Sequence, residues 1–538
     1  MKRSRKWLMC ILVLSMLFVT ACSMFTGKKA TEQKDESKAE NSIDNGKFKE
    51  PVMMTIAKPV NPQDKSLPSG DTIDNNILTR YVTDKTNVKF KATLTGASGD
   101  SYNQKMQVAI ASNNIPDAMI VTEKQLRQLV EADMIEDLTD VYKNYAGKFM
   151  KDVYESGNNR ALENATFDGK LMAIPDSVFE RDTVSMLWIR QDWLDKLGLT
   201  PPKTLDDIEK VAKAFIEQDP DGNGKADTIG LTGTPYLFGS HGFDSIFSAV
   251  HAYPDFWVKD DSGKVVHGSV TPETKKGLEK LREWYKEGII DKEFALRKDP
   301  NELVAGGKAG LFFGPWWSPW GGPIADAVKI NPKADWKAYT APLDENGEFN
   351  GKMTNISNTY AVVRKGYQHP EALMLVLNAE FSGNFSNLTN DLNPSYTPVR
   401  LVADWSDAVT RRVKQFEQYL DGNKDTSQMD YETKRLLPLI EQYAKNPTAD
   451  LSTWQPAHSY MEGGKTLLEP MNEVRSLFYS QTKTMEAKWT TISKLQSETF
   501  LKIIMGREPV NSFDKYVKQF NELGGDVITK EVEEAINK

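Results

Sequence analysis

Cysteine is nearly absent. The 538 residues contain two, Cys10 and Cys22, both within the first 22 positions. A chain whose body carries no thiol has no disulfide, no thiolate nucleophile and no cysteine metal site, so its stability must come from a large ordinary core. Histidine is scarce too: His241, His251, His267, His369 and His458 are scattered without metal-ligand spacing. Positive charge is not in excess, and a formal net charge of -8 argues against nucleic acid or anionic lipid as a partner. A Gly-x-Ser-x-Gly elbow, a phosphate-binding loop and a His-Glu-x-x-His helix are all missing. With 75 acidic residues, some carboxylate pair can always be called catalytic, so carboxylates alone decide nothing.

The first fifty residues hold a targeting signal and a spacer. Met1 to Lys6 is basic and Trp7 to Val19 is an apolar run too short to span a bilayer comfortably, the pattern of a secretory signal. Val19-Thr20-Ala21-Cys22 closely resembles a bacterial lipobox, so residues 1–22 are expected to be a lipoprotein signal peptide, with the Cys22 thiol lipidated and anchoring the protein to the membrane. Residues 23–50 have hardly an apolar side chain and are expected to be a flexible tether reaching about 30 Å. No later apolar stretch is long enough to cross a membrane. The remainder is far longer than one typical domain, which favours two lobes.

The most distinctive stretch is Gly306 to Gly322. Leu311 to Phe313 reads as a buried strand, stopped by Gly314-Pro315 before Trp316, Trp317 and Trp320 arrive on a Gly- and Pro-rich loop. Such a loop has few side chains to bury indoles with, so the rings either pack under it or face a cleft. A flat apolar face with an N–H at its edge suits a sugar ring. Trp316 and Trp317 are the expected stacking platforms; for Trp320 a cleft and a packed position stay open.

Around it, strand–helix–strand order from Val52 through Leu94 implies a parallel sheet, and two parallel-sheet lobes are expected. Asp168-Gly169 marks a hairpin turn, and Ser185 to Ile189 reads as a strand. Thr204 with Asp207, and Thr271 with Pro272, mark helix starts. From Ser386 onward the spacing is mostly helical, with segments near 407–419, 431–443, 470–478 and 482–505. Asp219, Asp221, Asn223 and Asp227 place oxygen side chains at alternating positions around Gly224, with the Lys225 carbonyl as a further donor. That is the spacing with which an EF-hand-type loop wraps Ca2+, although Gly230 stands where a bidentate Glu belongs. An Asx-rich turn without metal is the other reading.

The landmarks, in order, resemble those of bacterial extracellular solute-binding proteins of ABC importers, specifically the large sugar-binding, lipoprotein-A-like branch. The pieces are Asn113–Asp117, Gly169–Pro175, Ile189–Thr204, Asp219–Thr228, Trp284–Asp291, the Gly307-Lys308-Ala309 strand with its tryptophans, and Phe513 to Gly525. The resemblance implies an α/β fold of the type II periplasmic-binding-protein kind: two lobes, a hinge the chain crosses more than once, and an extended helical C-terminal part. Lobe I is expected to comprise 51–170 plus 351–381, lobe II 171–350 plus 382–538. It also implies a monomeric, non-enzymatic receptor that hands an oligosaccharide to ABC permease subunits, with Thr228 as a further calcium ligand. Arg190 matches the family's Arg-x-Asp-Trp motif and is expected either to fork onto solute or to pair with Asp192 or Asp195. Glu180 and Arg181, beside the hinge, are solute candidates or a solvated pair. Trp188, Tyr236, Trp257, Asn355 and Trp454 are further ligand-binding candidates, with a structural role the other reading for each. The rival functions are a secreted glycoside hydrolase or lyase, and a peptide or metal-complex receptor on the same scaffold.

Overall fold

The computed structural model describes residues 43–60, 64–97, 99–388, 392–447 and 450–537. The expected signal peptide, Cys22 and most of the expected tether lie outside them. The tether's last residues do not fit that reading. Ile43–Asp44 pairs with Lys47–Phe48 across an Asn45-Gly46 turn with both φ angles positive, and Phe48 is buried edge-on to His369, 5.5 Å away. One Asn-Gly turn and one aromatic suffice to dock the segment.

Ten strands concern the site. In chain order they are Val52–Val60 (β1), Val88–Ala97 (β2), Ala118–Thr122 (β3), Ile174–Pro175 (β4) and Met186–Arg190 (β5). Leu311–Gly314 (β6), Trp336–Tyr339 (β7), Asn350–Lys352 (β8), Thr359–Val363 (β9) and Asn472–Val474 (β10) follow. The first lobe's sheet has the order β2-β1-β3-β9-β4, with β2, β1 and β3 parallel, as the strand–helix–strand pattern predicts, and β9 antiparallel to both neighbours. The second lobe's sheet, β6-β5-β7, is entirely antiparallel, against the expectation of a second parallel sheet. Its strands meet across long stretches of sequence, where local order does not set direction.

Side-chain alternation divides the second lobe into two cores. Leu187, Ile189, Leu311 and Phe313 face one, whereas Met186, Trp188 and Phe312 face the other. The first lobe has one core, built on Met54, Ile56, Val121 and Val362. Helix starts follow the capping signals. The Thr204 hydroxyl accepts from the Asp207 amide at 3.2 Å, and Thr271 caps Pro272–Glu287, which ends at Gly288 with φ 84°. The exception is 470–478, where the expected helix is instead β10, paired in parallel with β8. A partner strand more than a hundred residues away overrides local apolar spacing.

Three crossings join the lobes and bond to one another: Ser177 N donates to Val402 O (3.0 Å), Val178 N to Ile356 O (3.0 Å), and Asp404 N to Ser177 O (3.0 Å). The last crossing falls after residue 401. Phe385, Leu392, Tyr396, Val399 and Leu401 pack in the first lobe's core, although residues from 382 onward were expected in lobe II.

Candidate functional site

The register of β5 decides which side chains face the hinge. Its first residue, Met186, follows directly on a crossing and pairs with Gly314, the last residue of β6. The tryptophan loop therefore leaves the second lobe's sheet at its hinge end. Pro315 O anchors the loop, accepting from Trp188 Nε1 (3.0 Å), Ser318 N (3.1 Å) and Ser318 Oγ (2.7 Å). At Gly463 a Cβ would come within 2.1 Å of Trp316 O, so only glycine permits this approach.

The three indoles divide by exposure. Trp316, expected as a platform, is 6% exposed; its ring lies 4.9 Å from Tyr460 and its Nε1 donates to Asp182 Oδ1 at 2.7 Å. It is the post that holds the loop to the crossing. Burial pushes the Asp182 carboxyl above the usual aspartate range, and the indole donor pulls the other way. Trp317 and Trp320 are 41% and 37% exposed, the Trp320 ring lying 6.3 Å from Tyr460.

Glu180 and Arg181 are neither solvated nor free. Arg160 of the first lobe bonds Glu180, Arg475 Nε reaches Glu180 at 3.0 Å and Glu473 at 2.6 Å through Nη2, and Arg181 Nε donates to Glu473 at 2.8 Å. This alternating ladder ties the first lobe to β10. Asn355 lies in the second crossing and accepts from Asn164 at 3.1 Å. Tyr236, 82% exposed, sits on a loop held beside β6, where His241 N donates to Phe313 O at 2.8 Å.

Four candidates lie elsewhere. Arg190 is at the opposite end of β5, buried over Trp193 (4.6 Å) and Trp336 (5.9 Å), with both arms of its fork on Asp192 at 2.7 and 2.6 Å. The pairing alternative holds, because a motif at a strand's end does not say which end faces the partner lobe. Trp188 is core under the loop; Trp257 is buried against His267, and Trp454 is stacked on buried His458 at 4.4 Å. Sequence reasoning missed Asp182 and Tyr460, which no local pattern marks.

In the calcium-like loop, Asp219 Oδ2 accepts from Gly224 N (3.0 Å), and Asn223 Nδ2 donates to Asp221 (2.7 Å) and Asp227 (3.0 Å). Asp219 and Asp221 share a hydrogen bond that lowers the first carboxyl, while burial foremost raises the second. These oxygen donors suit a hard cation. Among the described residues, however, no group of three acidic, His or Cys side chains is arranged to hold a metal ion. The expected ligand Thr228 is unsuitable: it is buried and its hydroxyl donates to Phe215 O at 2.7 Å.

A family model described as bacterial extracellular solute-binding protein matches residues 79–373. Lipoprotein LipO of Bacillus subtilis strain 168 is 30% identical over 317 residues, 57% of this chain and only 55% of LipO. The polygalacturonan/rhamnogalacturonan-binding protein YtcQ of the same organism is 25% identical over 458 residues, 81% and 83% of the two chains. The solved structure of the Streptococcus pneumoniae substrate-binding protein FusA, an EF-hand mutant in complex with fructo-nystose, has a TM-score of 0.58 at 19% identity. It covers 91% of this chain and 99% of that one. A match over more than half the sequence, on two α/β lobes joined by three hydrogen-bonded crossings, makes this chain a member of the bacterial extracellular solute-binding protein family.

Proposed function

We propose that the protein is a lipid-anchored extracytoplasmic receptor that captures an oligosaccharide between its lobes and delivers it, without chemical change, to the permease subunits of an ABC importer. The observation that carries the reading is the pair of exposed indoles, Trp317 and Trp320, on a loop fastened to the hinge. The names of YtcQ and of the FusA complex, which refer to polygalacturonan and rhamnogalacturonan and to fructo-nystose, support the solute class. The lipobox at Cys22, the monomeric state and the lobe assignments belong to the same proposal, with lobe I taken as 43–175 plus 356–403 and lobe II as 176–355 plus 404–537. Ca2+ is proposed at Asp219, Asp221, Asn223 and Asp227 with the Lys225 carbonyl, where it would brace the loop after the Leu205–Glu217 helix and take no part in chemistry.

Thermal unfolding of the soluble part with neutral and acidic oligosaccharides tests the reading. A bound sugar at a hundred times its Kd stabilises by about 2.7 kcal/mol, and Trp317→Ala weakens binding by about 2 kcal/mol, roughly thirtyfold. Cleaved products in the incubation, or no stabilisation by any sugar, would overturn it.

A further inference from the structure

At the hinge end of β5 lies a cavity of about 370 Å3 lined from two crossings, by Thr183 and Ser185 of one and Asn355 of the other, and by second-lobe residues that include Ser248. Its volume is near the lower end of the about 300–1,000 Å3 typical of small-molecule sites, the size for one ring. Two of its hydroxyls stand out. Ser185 and Ser248 are 8% and 2% exposed, and neither Oγ has a hydrogen-bond partner among the described residues. A buried hydroxyl left unpaired costs free energy, so two lining one cavity point to something that comes to meet them.

The charged groups of the same cavity are already spent. Lys352 Nζ donates to Asp244 Oδ1 (2.8 Å) and Pro254 O (2.9 Å) and lies 4.6 Å over the Phe256 ring, while Asp244 Oδ2 accepts from Gly239 N (2.7 Å). The Tyr479 hydroxyl is likewise engaged, donating to Met353 O at 2.9 Å. What the cavity offers is therefore neutral hydroxyls beside two aromatic rings, Phe256 and Tyr479, set edge to face at 5.9 Å. Thr183 is next in sequence to Asp182, which holds Trp316, so the cavity and the indole loop are attached to the same crossing.

We infer that this cavity receives a single uncharged sugar ring, the terminal residue of the captured oligosaccharide, with Ser185 and Ser248 hydrogen-bonding its hydroxyls and setting specificity against uronates. The inference rests on the oligosaccharide reading above and names the end of the ligand that enters deepest. Because Ser185 and Asn355 belong to crossings, a ring held there touches the segments that join the lobes.

Titration calorimetry with 1-kestose, maltotriose and trigalacturonic acid, on the soluble part of the wild-type chain and on Ser185→Ala, Ser248→Ala and Ser248→Val, tests it. The wild type is expected to bind a neutral trisaccharide. Each alanine should weaken it about threefold to tenfold, and Ser248→Val, which adds methyls to the cavity, more than either. Melting curves verify that each variant is folded, and the alanine pair carries the test if the valine variant is not. Neutral sugar bound equally by wild type and all folded variants would overturn the cavity assignment and leave the receptor reading standing, the cavity then holding solvent alone. Binding of trigalacturonic acid only would overturn the neutral-ring assignment. Binding of none would overturn both.

Discussion

The two ends of β5 are four residues apart and built from the same materials, yet they do opposite things. At the far end Arg190, Trp193, Trp336 and Asp192 satisfy one another, with the guanidinium stacked on indoles and both its arms on one carboxylate. At the hinge end Trp317 and Trp320 stay exposed, and Ser185 and Ser248 keep unspent hydroxyls. Aromatic rings and polar groups that saturate each other give stability, whereas the same groups left unsaturated beside a hinge are the ones we propose to meet solute. The division runs between the two ends of one strand, so residue type alone does not report it.

The largest effect that sharpens this contrast is expected at the far end. Arg190→Ala removes a buried fork and strands Asp192 in a partly buried site, so urea unfolding should lose about 2–4 kcal/mol. Oligosaccharide affinity of the folded protein should stay within twofold. Arg190→Lys should recover only part of the loss, because an ammonium cannot replace the planar fork. Weakened sugar binding with stability intact would erase the distinction between the two ends and return Arg190 to the cleft.

The sequence carried most of the frame and only part of the site. The helix starts at Thr204 and Thr271 and the Asp168-Gly169 turn were legible because caps and tight turns are local events. The tryptophan loop is legible as a Gly- and Pro-rich cluster whose rings pack under it or face a cleft, and the structure divides them, with Trp316 buried and Trp317 and Trp320 exposed. The direction of the second lobe's sheet, the strand hidden in 470–478 and the return of Phe385 and of Leu392 to Leu401 to the first core were not legible. Each depends on a partner far away in sequence. The same reason separates the indoles: Trp316 differs from Trp317 by one position, and only Asp182 and Tyr460, from a crossing and from the C-terminal helical part, decide that it is the buried one.

A smaller and more diagnostic effect is expected from Trp316→Phe. The ring still packs on Tyr460, but the donor to Asp182 is gone, at a cost of about 1–2 kcal/mol at neutral pH. The loss should depend on pH with a definite sign. Asp182 already titrates above its unfolded value, chiefly through burial, so its contribution to stability is present in acid and lost as pH rises through the folded value. Removing the indole donor raises the folded value further and starves the charged form of its partner. The gap between wild type and variant should therefore be small where Asp182 is protonated in both and widen toward neutrality. Melting curves of the two proteins across that range measure it directly. A gap that stays constant would mean that the Trp316–Asp182 bond does not hold the loop to the crossing, and that the hinge end is fastened by Pro315 and its three donors instead.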